Sequence, residues 1–295
     1  MGLSEAFDRE RCSAAFDAEM RQSSAAPLAL KPFLKWAGGK RWLVGSTHFA
    51  VPDFPGRYIE PFLGGGAVYF HLQPPKALLS DRNERLVEVY KVVRDNPEML
   101  SRELRDLQAK HSQKFYYEER ARKRLKSHTR AAQFIYLNRT CWNGLYRENR
   151  KGQFNVPIGT KSAIYDKSEN WRALSRLLSG ADLAAADFEQ TVDKADKGDF
   201  IFADPPYTTA HNNNGFVKYN QDIFSWGDQE RLRDALVRAV RRGVKVMLTN
   251  ADHDSIHNLF DNEFDYISIS RSSVISGSRS GRGMTSEALY LSKNW

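Results

Sequence analysis

Residues 200–207 read Phe200-Ile201-Phe202-Ala203-Asp204-Pro205-Pro206-Tyr207. Four apolar residues in a row have the length and composition of a buried strand. Two successive prolines cannot donate ladder hydrogen bonds, so the strand must stop there. Asp204 is thereby placed at the carboxyl end of a strand, where open α/β sheets bind their ligands. The prolines stiffen the turn and leave the Asp204 and Pro205 carbonyls without ladder partners, and Tyr207 adds a ring beside them. A carboxylate, a rigid carbonyl and an aromatic face suit a planar amine, such as the exocyclic amino group of a nucleobase. On these residues alone an ordinary proline turn is the competing reading, and the rest of the chain decides.

Working outward, strands are expected at Tyr58–Glu60, Lys76–Ser80 and Leu183–Ala186 before this stretch, and at Val244–Thr249, Phe264–Ser270 and Ser286–Ser292 after it. Helical patterns lie between most of them: Arg41–Phe49, Ala67–Leu72, Asn83–Arg94, Pro97–Lys110, residues 115–137, Trp171–Leu178 and Asp228–Arg242, the last closed by Gly243. About seven strands alternating with helices define an α/β protein with a mostly parallel sheet. Residues 95–180 contribute no strand and are helical and basic, so they read as an inserted second domain. The sheet domain is then built from 28–94 and 181–295. Residues 1–27 form an extension without an apolar signal core.

The 295 residues carry a formal net charge of +8, which points to a polyanionic partner, nucleic acid before membrane. Two cysteines, Cys12 and Cys141, offer neither a disulfide framework nor metal-ligand spacing and fit a reducing cytoplasm. No metal is expected. No apolar run approaches the length of a membrane span.

Glu60-Pro61-Phe62-Leu63-Gly64-Gly65-Gly66 is a strand, a glycine turn and a helix start. Glycines let backbone approach a ligand closely, although a turn that merely needs glycine would look the same. Asp81, at the end of the next strand, is placed to accept hydrogen bonds from a ribose diol. The turn has no phosphate-cradling lysine, which favours a nucleoside over a triphosphate, and S-adenosyl-L-methionine is such a nucleoside. Asp187-Phe188 offers a carboxylate and a ring for adenine, though the pair also suits a helix start. The segment Asn138 to Pro157 crowds Arg139, Trp142, Asn143, Leu145, Arg147 and Asn149 among glycines. Arginine is the best bidentate reader of guanine, asparagine suits adenine, and tryptophan stacks on or between bases. Arg120, Arg124 and Lys126 lie in a basic run suited to phosphate contact.

Taken together, these motifs resemble the Dam-type, D12-class DNA adenine-N6 methyltransferases. The resemblance covers Lys31 to Asn294. It rests on Lys35–Lys40, Glu60-Pro61-Phe62 with its glycines, Asp81 with Asn83, Asn143–Arg147 with Gly152–Pro157, Asp187-Phe188 and Asp204–Tyr207. It implies a Rossmann-like seven-stranded sheet with an inserted helical recognition domain acting on double-stranded DNA. Catalysis falls to Asp204, Pro205, Pro206 and Tyr207. Trp36, Lys40, Asp81 and Asp204 would contact the cofactor, with Glu60, Phe62, Gly64, Gly66, Asn83, Asp187 and Phe188 lining its pocket. Arg147 and Asn143 would read bases within GATC, and Trp142, where the family often has Tyr or Phe, would wedge beside the target. A monomer on DNA is the expected working form. The rivals are a methyltransferase for RNA or a protein amide, a DNA-binding protein without catalysis, and a nucleotide oxidoreductase.

Overall fold

Phe200–Ala203 is a strand with all four residues buried. It lies at the centre of a seven-stranded sheet in the computed structural model, which describes residues 29–149, 151–209, 224–272 and 284–295. The extension over 1–27, most of the polar loop after Thr208 and most of the Ser/Gly/Arg-rich loop after Ser272 lie outside the described residues. In chain order the strands are β1 (Tyr58–Glu60), β2 (Ala77–Asp81), β3 (Ala181–Ala185), β4 (Phe200–Ala203), β5 (Lys245–Ala251), β6 (Phe264–Ser272) and β7 (Met284–Ser292). Their order across the sheet is β3-β2-β1-β4-β5-β7-β6. The first five are mutually parallel, and β7 runs antiparallel to both β5 and β6.

The helices are α1 (Arg41–Val44), α2 (Ala67–Leu72), α3 (Glu84–Asp95), α4 (Pro97–Lys110), α5 (Gln113–Ala121), α6 (Ser127–Thr140), α7 (Trp171–Leu178), α8 (Phe188–Val192), α9 (Trp226–Arg241) and α10 (Asp254–Phe260). One core cluster joins the sheet to the buried stripe of α9, Leu232, Ala235, Leu236 and Ala239. Ser225 and Asp228 cap that helix reciprocally, each side chain accepting the other's backbone N–H. Tyr58, Tyr69, Phe70 and Tyr90 fill space between the sheet and α2 and α3, all fully buried and in ring contact.

Two helical expectations need correcting. The pattern from Arg41 yields a helix only to Val44, with Gly45 at its end. The run 115–137 is not one helix: α5 stops at Ala121 and α6 starts at Ser127. Arg120 and Arg124 would stand four residues apart on one face of a continued helix, a like-charge pair that disfavours it. Internal partners also hold the break, since Gln133 donates to the Glu119 and Arg122 carbonyls at 2.7 and 2.8 Å. Asp187-Phe188 does open a short helix, α8, as the competing reading of that pair allows, while α10 escapes the sequence reading.

Residues 31–295 form one compact unit. Within it α6 packs on α3 and α4, and α7 packs on α3 and α4 as well, so the helices between β2 and β3 continue the helical layer beside the sheet. At the opposite end of the central strands Asp199 ties β1 to β4. It accepts from the Arg57 backbone N–H at 2.7 Å, the Arg57 guanidinium at 2.7 Å and the Asp196 N–H at 3.0 Å. Strand order reverses between β1 and β4, so a crevice opens beyond their carboxyl ends, Glu60 and Asp204.

Candidate active site

That crevice is a cleft of about 1170 Å³. Its lining brings together Trp36, Lys40, Glu60, Phe62, Gly64, Gly66, Asp81, Asn83, Asp187, Phe188, Asp204, Pro205, Pro206, Tyr207 and Arg147, residues named from the sequence on separate grounds.

Asp204 sits one residue beyond β4, where the ladder has ended. Its Oδ1 accepts from Thr249 Oγ1 at 2.8 Å and lies 2.8 Å from Lys40 Nζ. Both donors meet the same oxygen, which leaves Oδ2 for a further donor. Lys40 is buried, donates to the Gly38 carbonyl at 2.8 Å, lies 3.5 Å from Glu287 Oε2 and stands 5.0 Å over the Tyr207 ring. The Tyr207 hydroxyl donates to Glu287 Oε2 at 2.7 Å. Burial raises the Asp204 pKa above the ordinary carboxylate value, and the Lys40 charge and the Lys40 and Thr249 hydrogen bonds partly oppose the rise. Burial, with Asp204 and Glu287 adding negative charge, pushes the Tyr207 phenol well up, so its hydroxyl keeps its proton.

The other wall is made by β2 and the glycine turn. Asp81 Oδ2 accepts from Gly64 N at 3.0 Å and Oδ1 from Asn83 N at 2.9 Å. Burial raises the Asp81 pKa against these two bonds. A carboxylate has about four acceptor sites, so capacity for a diol remains. Glu60 is buried and accepts from the Tyr58 hydroxyl at 2.8 Å; burial carries its pKa well above the usual value. Asn83 uses its side chain to cap α3, accepting from Leu86 N at 3.1 Å.

The glycine turn has a second reason to be glycine. Gly64 adopts φ +46°, and a Cβ there would lie 2.7 Å from Trp36 Cδ1. The turn is thus flattened against the Trp36 indole as well as open to the cleft. Trp36 itself stacks on Tyr146 with ring centroids 5.6 Å apart, and Tyr146 stacks on Phe134 at 4.9 Å. The far end of the cleft is aromatic: Phe62 stacks on Phe188 at 5.4 Å, and Phe188 carries the Arg231 guanidinium over its ring. Asp187 caps α8 through Glu189 N at 3.0 Å and pairs with Arg231 at 2.9 Å.

The segment after α6 is an antiparallel hairpin. Trp142 N donates to the Pro157 carbonyl at 2.9 Å, Asn155 N to the Arg147 carbonyl at 3.1 Å and Asn149 N to the Gln153 carbonyl at 2.8 Å. Trp142 is 46% exposed, and Asn143, at φ +53°, is exposed beside it. Arg147 is exposed at the cleft and donates to Asn155 Oδ1 at 2.8 Å. Leu145 is half-buried, and Asn149 closes the hairpin turn with its Oδ1 on Lys151 N and Gln153 N.

Two arginines expected on nucleic acid have internal partners instead. Arg139 is 10% exposed; it pairs with Glu169 at 2.6 Å and donates to the Phe33 and Ile164 carbonyls. Arg124 makes a two-pronged pair with the fully buried Glu119 at 2.6 and 2.7 Å. Arg120 is partly committed as well, donating to the Val156 carbonyl at 3.0 Å, while Lys126 is exposed.

Four residues here were missed in the sequence. Thr249 and Glu287 arrive on β5 and β7. Asn138 accepts from Lys35 N at 2.9 Å and donates to the Lys35 and Gly144 carbonyls, holding the Trp36 segment to the hairpin. Glu148 reaches the cleft beside Arg85 at 3.4 Å and accepts from the Tyr146 hydroxyl. Glu287 left one signal, a lone charge at the head of Glu287-Ala288-Leu289-Tyr290-Leu291.

A Rossmann-like sheet whose switch point brings the Asp81 carboxylate and Asp-Pro-Pro-Tyr to one cleft is the architecture of a nucleoside-dependent methyltransferase. The model of the D12 class N6 adenine-specific DNA methyltransferases matches residues 36–275, and the chain belongs to that family. It is 36% identical over 270 residues to the type II methyltransferase M1.LlaDCHI of Lactococcus lactis subsp. cremoris, covering 88% of this chain and 94% of that one. It is 37% identical over 247 residues to the type II methyltransferase M.MjaIII of Methanocaldococcus jannaschii, covering 76% and 85%. It is 32% identical over 268 residues to the DNA adenine methylase of Serratia marcescens, covering 88% and 98%. The chain is an adenine-specific DNA methyltransferase, and the methyl donor of its class is S-adenosyl-L-methionine.

The cleft fits that donor. Asp81 retains acceptor capacity for a diol, Phe62 and Phe188 offer an aromatic wall, and Glu60 and Asp204 supply acidic groups for a cationic sulfonium and ammonium. Among the described residues no helix is long and apolar enough to cross a membrane.

Proposed function

We propose that the enzyme methylates N6 of an adenine flipped out of double-stranded DNA within GATC, with Asp204 and Tyr207 as the catalytic pair. The observation that carries this reading is the Asp204 carboxylate, fixed on Oδ1 by Lys40 and Thr249 with Oδ2 left for a donor, beside Tyr207. Adenine N6 is a weak nucleophile because its lone pair is conjugated with the ring. Asp204 Oδ2 and the Pro205 carbonyl accept its two N–H groups, which favours a pyramidal nitrogen with its lone pair free to attack. The contribution is positioning and oriented charge. Bound S-adenosyl-L-methionine supplies a methyl group already activated by its sulfonium. Asp81 would hold the ribose, Phe62 and Phe188 would wall the cofactor adenine, and Trp36, Lys40, Glu60, Gly64, Gly66, Asn83 and Asp187 would complete that side.

The stack for an extruded base is Tyr207, worth about 1–3 kcal/mol. The segment 95–180 serves as the recognition domain on a catalytic domain of 28–94 and 181–295. Support comes from the hairpin, which exposes Trp142 and Asn143 and brings Arg147 to the cleft. Arg147 is assigned to guanine, where one bidentate pair discriminates by about 1–3 kcal/mol.

The experiment is methyl transfer to a GATC duplex and to duplexes altered one base at a time. Asp204→Ala is expected to lose at least about 100-fold in rate, by analogy with loss of an oxyanion donor. Arg147→Ala is expected to relax the requirement for the adjacent guanine. Near-normal turnover by Asp204→Ala removes the mechanism. An equal loss on every duplex makes Arg147 a backbone clamp, and wild-type preference for another site removes GATC while leaving the adenine chemistry standing.

A further inference from the structure

Glu287 is an acidic group of the cleft that the mechanism above leaves without a task. It is 4% exposed and comes from β7, the antiparallel strand beside β5. Its Oε2 accepts from the Tyr207 hydroxyl at 2.7 Å and lies 3.5 Å from Lys40 Nζ. Lys40 in turn lies 2.8 Å from Asp204 Oδ1 and 5.0 Å over the Tyr207 ring. Burying a carboxylate at this depth costs several kcal/mol unless it is paired and hydrogen-bonded. These two partners belong to the reactive centre: Tyr207 carries the stacking ring and Lys40 holds the accepting carboxylate. A carboxylate needed only to neutralise Lys40 would duplicate Asp204, which already does so at shorter range.

We propose that Glu287 is a positioning residue for methyl transfer, fixing the Tyr207 ring by its hydroxyl and sharing the Lys40 ammonium so that Asp204 and Tyr207 are held in one geometry. Tyr207 follows two prolines on a loop, and a ring anchored at its distal end by a sheet residue keeps its plane when a base leaves and enters. The Lys40 contact acts on Asp204: with Glu287 present, the ammonium is held from two sides and keeps Oδ1 engaged. Loss of the Glu287 charge leaves Lys40 to Asp204 Oδ1 and the Gly38 carbonyl, with less to hold the ammonium away from Oδ2, the oxygen that the adenine amine needs. The inference rests on the assignment of Asp204 and Tyr207 as the catalytic pair.

The test is single-turnover methyl transfer to the duplex that the wild-type enzyme methylates best. S-adenosyl-homocysteine affinity by calorimetry and duplex affinity by anisotropy are measured beside it. Glu287→Gln keeps the shape and an acceptor for Tyr207 but removes the charge, and is expected to slow transfer about 10-fold; Glu287→Ala is expected to slow it about 100-fold, the range for a buried hydrogen bond to a charged group. Both affinities are expected to stay within about threefold, a split that a residue serving only the fold would not produce. Tyr207→Phe removes the same hydrogen bond from the other side, so adding it to Glu287→Ala is expected to cost less than about threefold more. If Glu287→Ala does not fold, Glu287→Gln alone decides. Rates within about twofold of wild type for Glu287→Gln, or full multiplication of the Tyr207→Phe and Glu287→Ala effects, overturn the proposal. Asp204→Ala is measured in parallel: if it is inactive while Glu287→Gln is normal, only the Glu287 role fails, and if it is active the catalytic assignment falls first.

Discussion

At the scale of single residues, the reactive carboxylate has a titration of its own. Burial raises the Asp204 pKa against the opposing Lys40 and Thr249 contacts. On the proposed mechanism Asp204 works as the carboxylate, so its function is present above its folded pKa and lost as pH falls through it. The acidic limb of the single-turnover rate is expected above the ordinary carboxylate range, and a rate–pH profile at saturating cofactor checks this. A limb at or below that range would assign it to another group. Asp204 was legible in the sequence because two prolines end a strand wherever they occur. Asp81 was legible because a strand ended at it. Arg139 was misread because sequence gives its charge but not its partner: Glu169 lies 30 residues away and meets it only in the fold. Glu287 stayed hidden for a similar reason. Its strand pairs with β5 and β6 across loops, and no local pattern indicates that its side chain meets Lys40.

At the scale of elements, the basic run between α5 and α6 divides into two kinds of cation. Arg124 faces inward on Glu119, whereas Lys126 faces solvent. Arg124→Ala is expected to destabilise the protein by about 3 kcal/mol, because it leaves a buried carboxylate short of its main partner. Arg122, 3.7 Å from the same oxygen, limits the loss. A shift in the denaturant midpoint reads it. Lys126→Ala is expected to leave that midpoint in place and to lower the salt slope of DNA binding by about one phosphate contact. Unchanged stability in Arg124→Ala would return that residue to the DNA surface. The strands were legible to within a few residues because buried parallel strands are continuous apolar runs. The helix break at 122–126 was not, since it depends on Gln133 reaching back from the next helix.

At the scale of the whole molecule, one buried carboxylate far from the cleft contributes to acid stability. Burial would raise the pKa of Asp199, but the Arg57 side chain, the Asp196 N–H and the Arg57 N–H outweigh it and hold the value below the ordinary one. Its folded pKa lies below its unfolded pKa. The stabilisation is therefore complete above the unfolded value and is lost as pH falls through the folded one. Asp199→Asn is expected to cost about 1–3 kcal/mol at neutral pH and to flatten the stability curve on its acid side. Urea midpoints measured at a series of pH values test both, and parallel curves for variant and wild type would remove Asp199 from the account. The sheet order could only be guessed from alternation, whereas the place of the cleft followed once β1 and β4 were known to be neighbours.

The pairing of β1 with β4 also fixes when the enzyme becomes competent. Arg57 and Asp199, which meet at the base of those strands, are 142 residues apart, and nearly a hundred residues of helix and hairpin separate β2 from β3. Closure of so long a loop is slow and comes after local helices have formed. During synthesis Glu60 and Asp81 emerge well before the strand that precedes Asp204. On the proposed mechanism, a chain released before Asp204 holds half of a nucleoside pocket without Asp204 and Tyr207, so it is expected to leave no mark on the genome.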